Sequence, residues 1–480
     1  MSQSNNDFPN PENKNKQFYI YKWYFEFYDA NDAKTKVHPD KVLGITKQSY
    51  YKSKVVPVLS GKFRFSDKDL ITLRSIRKRC LCTITCKSII YNPTTGENVT
   101  KSNEIAYTKS DSKIEFSATF EPIFDKNTFL DRYNSDDIEN KAEKEELKAP
   151  EAELNSPTQV VNITFFNLKA QNVIKTLFNN VIDSGESVGT ILQWVCSETG
   201  LSYITDKPAN ETELGEAIIP TLTLIPAINY LQEMFGVYEN GIQTFIDFDN
   251  ILYVLDKYNM SHDKKDGDTA ITHIYSYDIE ETEPMSMTRS ENDDNEAMYM
   301  GIPIIHNEDD EILKGELLGN NYIFSSFEMG LDPVKYNTDN EIASGSADEV
   351  SFIMKRDTET HSSSGEKTIC DYDEMNNIYN MTSKFNELEA QSKRLRISLK
   401  NVNISDFNVN KIIELHYQNI TKNNTLGGKY YLNSVSFAFN TLPSGDIFKN
   451  DDEADEDEDL GYTPAKTSCG CILDVSRRYK

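Results

Sequence analysis

The stretch Phe18-Tyr19-Ile20-Tyr21-Lys22-Trp23-Tyr24-Phe25-Glu26-Phe27-Tyr28 decides the class of fold. Its odd positions are all aromatic and its even positions are mixed, which is the period-2 signature of a strand with one buried face. Working outward, further strand-like runs lie at Val55–Leu59, Lys62–Phe65, Leu81–Tyr91 and Lys113–Phe120. Asn92-Pro93-Thr94-Thr95-Gly96 supplies a turn between the last two, so the segment reads as a long hairpin or a pair of hairpins. A chain of 480 residues is long enough for about three domains of roughly 100–200 residues.

The middle of the chain changes period. Residues 136–158 carry Asp136, Asp137, Glu139, Glu143, Glu145, Glu146, Glu151 and Glu153 beside Pro150 and Pro157, the composition of a solvated linker or an exposed, charge-laced helix. Val173, Leu177 and Val181, flanked by Ile174, Phe178 and Ile182, give an i, i+4, i+8 stripe that predicts a helix ended by Gly185. Ser187 is placed to cap a second helix, with Ile191, Leu192 and Val195 on its apolar face and Gly200 beyond its end. A third helix is expected to start at Pro226, as an N1-type proline, and to stop at Gly236. Gly241–Leu255 then reads as a hairpin turning near Asp249-Asn250.

From about residue 268 the β period returns, at Ile271–Tyr277, Tyr322–Phe327, Val350–Met354, Arg394–Leu399, Ile412–Tyr417 and Tyr430–Phe439, with a helix expected over Met381–Ser392. The resulting expectation is an α+β, mainly β chain. It comprises a disordered arm (1–15), a first tube-like β-barrel (16–135), an acidic linker (136–158), an α/β domain (159–267) and a second tube-like β-barrel (268–440). The second barrel carries an insertion at about 330–390, and an acidic tail (441–480) follows. Asp451–Asp459 holds eight acids in nine residues, and Cys469-Gly470-Cys471 is read as two thiols in an unstructured tag.

Composition narrows the function. The net charge of −27 makes the chain a poor counter-ion for phosphate, so tight nucleic-acid binding is not expected. No run approaches the ~20 apolar residues of a membrane helix, and the first residues, Met1–Asp7, lack the basic and apolar regions of a signal peptide. The expectation is a soluble protein with reduced thiols, made and kept in a cell or packaged from one.

The residues also offer little catalysis. The six histidines, His38, His262, His273, His306, His361 and His416, stand at no metal-ligand spacing in sequence, and the nucleophile-elbow, metalloprotease and phosphate-loop motifs do not occur. Cys80, Cys82 and Cys86 would share one face of a strand, but zinc sites draw two close ligands from a tight turn, so they read as apolar strand cysteines. Asp247 and Asp249 read as carboxylates at a hairpin end: an EF-hand loop starting at Asp247 would need a glutamate where Tyr258 stands. Arg74, Arg77, Lys78 and Arg79 form a basic cluster suited to the acidic face of a neighbouring subunit or to nucleic acid. No catalytic, cofactor-binding or metal-binding set emerges, and no enzymatic activity or cofactor is expected.

Thr190–Gly200 (TILQWVCSETG) and Pro226–Leu255, with the turn Gly236-Val237-Tyr238-Glu239-Asn240-Gly241 and the FIDFDNILYVL hairpin, resemble the α/β part of baseplate hub proteins of contractile-tailed phages. The hub portion of VgrG spike proteins belongs to the same group. Ile404–Tyr417 and Gly428–Phe437 resemble the last barrel hairpin of such hubs. The resemblance implies a virion structural protein of a contractile injection system. It would be a homotrimer whose two barrels per chain form a ring of six, joining the six-fold tail tube to the three-fold central spike. It would also line the channel for genome ejection. The implied partners are further copies of the chain, the spike, the tube and other tail or baseplate wedge proteins, with no membrane. This sequence lacks a fused spike β-helix, which favours a spike on a separate chain. The rival readings are a receptor-binding tail protein and a cell-wall-degrading one, for which Asp247 and Asp249 would be the candidate carboxylates.

Overall fold

The computed structural model describes residues 17–51, 56–93, 107–124, 158–210, 217–238, 241–256, 271–277, 290–291, 296–305, 324–326, 334–336, 359–361, 367–369, 394–408, 412–418, 427–441 and 465–476. The arm 1–15, the helix expected over 381–392, the strand expected over 350–354 and the acidic run 451–459 lie outside these residues, as does all but one residue of the linker 136–158.

The first seven strands are β1 (Phe18–Asp29), β2 (Asp32–Val37), β3 (Lys41–Tyr50), β4 (Val58–Ser66), β5 (Cys80–Pro93), β6 (Tyr107–Phe124) and β7 (Thr158–Asn167). The middle of the chain supplies β8 (Leu177–Ile182), β9 (Ser202–Thr205), β10 (Ala217–Thr223), β11 (Ile242–Ile246) and β12 (Ile251–Asp256). The last part supplies β13 (Ile271–Tyr277), β14 (Ser290–Glu291), β15 (Ala297–Met300), β16 (Ile302–Ile305), β17 (Phe324–Ser326), β18 (Val334–Tyr336), β19 (Glu359–His361) and β20 (Lys367–Ile369). It ends with β21 (Arg394–Lys400), β22 (Ile412–Gln418), β23 (Gly428–Thr441) and β24 (Ala465–Ser476). Among the described residues four α-helices join them: α1 (Asp67–Ile76), α2 (Leu168–Lys175), α3 (Val188–Ser197) and α4 (Leu224–Phe235).

Alternation in β1 puts Tyr19, Tyr21, Trp23, Phe25 and Phe27 in the core. The ladder runs β1–β5–β6–β7–β4–β3–β23–β24 and returns from β24 to β1 through Tyr21↔Thr467, Lys22↔Lys466 and Trp23↔Ala465, closing an eight-stranded barrel. Closure leaves no open edge in this ring. The aromatic face fills it: Trp23 meets Phe439 edge-on at 4.8 Å, and Phe25 meets Phe63 likewise at 4.8 Å. Such pairs add about 0.5–1.5 kcal/mol each beyond their buried area.

A second circuit shares two of these strands. β13 pairs with β22, β22 with β23, β23 with β24, β24 with β21, and β21 with β16. β16 leads straight back through Gly301 into β15, which pairs with β13. Gly301 donates its N–H to the Tyr275 carbonyl at 3.0 Å, and a Cβ there would stand 2.6 Å from a Leu399 methyl and 2.9 Å from one of Ile274. A side chain has no room at that corner, so glycine is what lets one strand turn between the two faces of the ring.

The expected tail is therefore corrected in part. Ala465–Ser476 is a strand common to both barrels, and Cys469 and Cys471 are buried in the core. Its alternation of Thr467, Cys469, Cys471, Leu473 and Val475 inward makes it a wall strand. The first barrel also takes β7 from beyond the acidic stretch, and β23 and β24 from the far end of the chain, so it is not built from 16–135 alone.

The helix expected through Val173–Ile182 is corrected too. α2 stops at Lys175, and Leu177–Ile182 pairs with β10 as a strand, with Ile218 opposite Val181. A spacing of four fits two strand periods as well as one helical turn, and pairing with β10 settles it. α3 is capped as expected, the Ser187 hydroxyl accepting from Thr190 N at 3.2 Å. Pro226 stands as the third residue of α4 and not the first.

Candidate functional site

The features that could carry function are the junctions between the units and one exposed apolar face. The first junction is the hairpin pair β23–β24, registered from Tyr431↔Ser476 to Thr441↔Thr467. At its Tyr430 end β23 pairs with β22 of the second barrel, and further on with β3 of the first. β24 likewise passes from β1 to β21. Fourteen residues of β23 at about 3.3 Å each span both rings.

The second junction is the loop from Asn401 to Phe407. The Tyr21 hydroxyl, in the first barrel, donates to the Val402 carbonyl at 3.0 Å and accepts from Ile404 N at 3.1 Å. The Tyr299 hydroxyl, in the second barrel, donates to Asp406 Oδ2 at 2.6 Å and accepts from Asn403 N at 3.0 Å. Thr272 adds a bond to the Asp406 carbonyl at 2.9 Å. Val402, Ile404 and Phe407 are buried between these polar ties. Burial raises the Tyr21 phenol well above its ordinary range, so it stays neutral and can both donate and accept.

The third junction fixes the α/β unit. Its own core holds Val188, Ile191, Leu192, Val195, Ile228 and Leu231. Gln232 ties the end of α4 by accepting from Val237 N (3.1 Å) and Tyr238 N (3.0 Å). The β11–β12 hairpin then reaches the first barrel, where Phe248 packs on Phe116 at 5.5 Å and Phe245 on Tyr51 at 4.9 Å. Lys47 of β3 lies over Phe248, Phe116 and Phe437 at 4.4, 5.5 and 5.6 Å, a cation held by three ring faces. Desolvation lowers its pKa, while nearby Cys86, Glu115, Cys469 and Asp249 act in the other direction.

One exposed face stands out. β8 and β10 bury Phe178, Ile182 and Ile219 but turn Leu177, Val181 and Ile218 outward, with Val181 and Ile218 63% and 62% exposed and directly paired.

The residues singled out by sequence fall as follows. Cys80, Cys82 and Cys86 line the buried face of β5 with Ile84, and burial pushes the Cys80 thiol up to about 12. Asp247 closes the β11–β12 turn by accepting from Ile251 N at 2.8 Å, and Asn250 supplies the positive φ of 62°. Arg74 and Arg77–Arg79 end α1 and the following 3₁₀ turn; Arg79 forks onto Asp29 at 2.8–3.3 Å and draws its carboxyl below the usual range. His273 and His416, 143 residues apart, come into contact at 2.9 Å. Sequence spacing misses this pair because parallel pairing of β13 with β22 brings them together.

The family model of the bacteriophage PBS1 gene 109 protein matches residues 40–451. The chain belongs to that family. The double-barrelled chain is also similar to the 43 kDa tail protein of prophage MuSo2 from Shewanella oneidensis, at 8% identity and a TM-score of 0.42 over 95% of this chain and 98% of that one. It is similar to the tail protein from Neisseria meningitidis MC58, at 9% identity and 0.40 over 95% and 96%. A chain of the Francisella PdpA–VgrG complex is similar at 10% identity and 0.38, over 96% of this chain and 53% of that one. No curated protein matches in sequence. No helix among the described residues is long and apolar enough to cross a membrane.

Proposed function

We propose that the chain is a structural hub of a phage tail baseplate, acting as a homotrimer that adapts the six-fold tail tube to the three-fold central spike. The observation that carries this reading is the pair of closed β rings in one chain, fused along β23 and β24. Three copies supply six rings, which is how a three-fold object can meet a six-fold one without a mismatch. Membership of a phage family and the hub-like stretches Thr190–Gly200, Pro226–Leu255 and Gly428–Phe437 support it.

The Leu177, Val181 and Ile218 face is the surface that a second copy of the chain would cover, since an exposed apolar pair of this kind gains by leaving water. The net charge of −27 suits a channel that lets DNA pass without adhering. The hub would bind the spike and tube proteins without catalysis and reside in the virion tail.

The test is the mass of the purified chain by native mass spectrometry or light scattering. Three chains are expected, falling to one in Val181→Lys/Ile218→Lys, with the circular dichroism spectrum unchanged. A wild-type chain that stays monomeric at tens of micromolar would overturn the proposal.

A further inference from the structure

We propose that the second barrel carries a binding site for one zinc-class divalent cation, formed by His273 Nδ1, His416 Nε2 and a Glu414 carboxylate oxygen. The three ligand atoms lie within 4.8 Å of one another. They converge because β13 and β22 run parallel with His273 opposite Glu414 and Tyr275 opposite His416. Glu414 and His416 are two apart on one strand and so share a face, while the alternate residues Ile413 and Leu415 point into the core.

Both separations measured from His273 suit a tetrahedral ion. His273 Nδ1 stands 2.9 Å from His416 Nε2 and 3.7 Å from Glu414 Oε2. Those values bracket the roughly 3.3 Å between ligand atoms that ~2.0–2.1 Å bonds to a tetrahedral zinc require. Two imidazoles and a carboxylate, with water in the fourth position, form a nitrogen–oxygen set that zinc accepts.

A fourth residue orients the site. His273 Nε2 lies 2.8 Å from Glu296 Oε2, so its N–H donates to that carboxylate and the lone pair is left on Nδ1, facing the other two ligands. Glu296 holds the tautomer that a ligating histidine needs. His416 is held from the side by Tyr275, whose ring stacks on it at 4.5 Å and 12°. Without metal, neutral His416 Nε2–H donates to His273 Nδ1; on binding, that proton moves through solvent to His416 Nδ1, which leaves the Nε2 lone pair for the ion. Structurally, the ion would clamp β13 to β22, which among the described residues makes three residue pairs with β23 on its other side.

The experiment uses the full chain, stripped with chelator and titrated with ZnCl₂, with CoCl₂ as a spectroscopic stand-in. One zinc per chain is expected by calorimetry and by elemental analysis after desalting, with a tetrahedral cobalt spectrum. His416→Gln and Glu414→Gln should each weaken binding at least about tenfold, and Glu296→Gln by about 10–100-fold. Glu414→Gln keeps the side-chain volume, so it serves where His416→Gln fails to fold. Sub-stoichiometric zinc, or zinc retained equally by the wild type and by Glu414→Gln, would overturn the proposal and leave a proton-sharing cluster only.

Discussion

The shared strand β24 gives the sharpest test of the fold, since removing residues 465–480 should disable both barrels at once. Leu473 and Val475 are wholly buried, and Cys469 and Cys471 nearly so. Burying a Leu or Val side chain is worth about 1.5–3 kcal/mol, so Leu473 and Val475 together contribute about 3–6 kcal/mol. That is comparable to the ~5–15 kcal/mol net stability of a whole domain, before counting the opened ladders to β1, β21 and β23. The truncated chain should be insoluble or lose its cooperative melting transition. Point variants refine the test within one strand. Leu473→Ala should cost about 2–5 kcal/mol, whereas Ile472→Thr, on the outward face at 46% exposure, should stay within about 0.5 kcal/mol. At about 2–4 °C per kcal/mol for a unit of this size, Leu473→Ala should lower Tm by about 4–20 °C in differential scanning calorimetry. A truncated chain that melts like the full one, or equal Tm values for the two point variants, would refute the shared-wall topology.

Other expectations follow from single groups. Tyr21→Phe removes a phenol that both donates to Val402 and accepts from Ile404 N, leaving buried backbone groups unpaired, and should cost about 1–3 kcal/mol by urea denaturation. Asp29 has its pKa depressed by Arg79, so its contribution is present above the ordinary carboxylate range and is lost as pH falls through the lower folded value. Asp29→Asn should accordingly narrow the Tm gap between variant and wild type as pH drops below about 4. Gly301→Val should overpack the corner of the second barrel and cost about 1–3 kcal/mol or more, read as Tm. The thiols of Cys82, Cys86, Cys469 and Cys471 are raised well above the usual value by burial, so peptide mapping after alkylation at pH 8 should find them unlabelled until denaturant is added.

Where side-chain period was unambiguous, the chain announced its own fold. Five aromatics on the inward face of β1 and the apolar alternation of β23 read as strands, but the alternation did not show that Ile20, Lys22 and Tyr24, on the other face of β1, are buried as well. Leu177–Ile182 misled because Phe178 and Ile182, four apart, satisfy both periods, and only the partner β10 decides. β24 was masked by its neighbour: Thr467, Cys469, Cys471, Leu473 and Val475 alternate cleanly, but the acid-rich run before them made the whole end look solvated. β7, with Val161, Ile163 and Phe165 inward, was hidden beside the acidic stretch for the same reason. The contact of His273 with His416 had no signal in sequence spacing, because strand pairing joins them across 143 residues; only Glu414 and His416, two apart on β22, are local neighbours. Junctions such as Tyr21 with Val402, 381 residues apart, belong to the same class.

The account rests on one chain supplying two rings and three chains supplying six. Electron cryomicroscopy of the purified chain mixed with the proposed tail-tube partner measures this directly. The account predicts a three-fold particle in which six β rings face the tube, two from each chain and joined by the β23–β24 wall. A single ring per chain at the tube face, or an assembly of other than three chains, would contradict it.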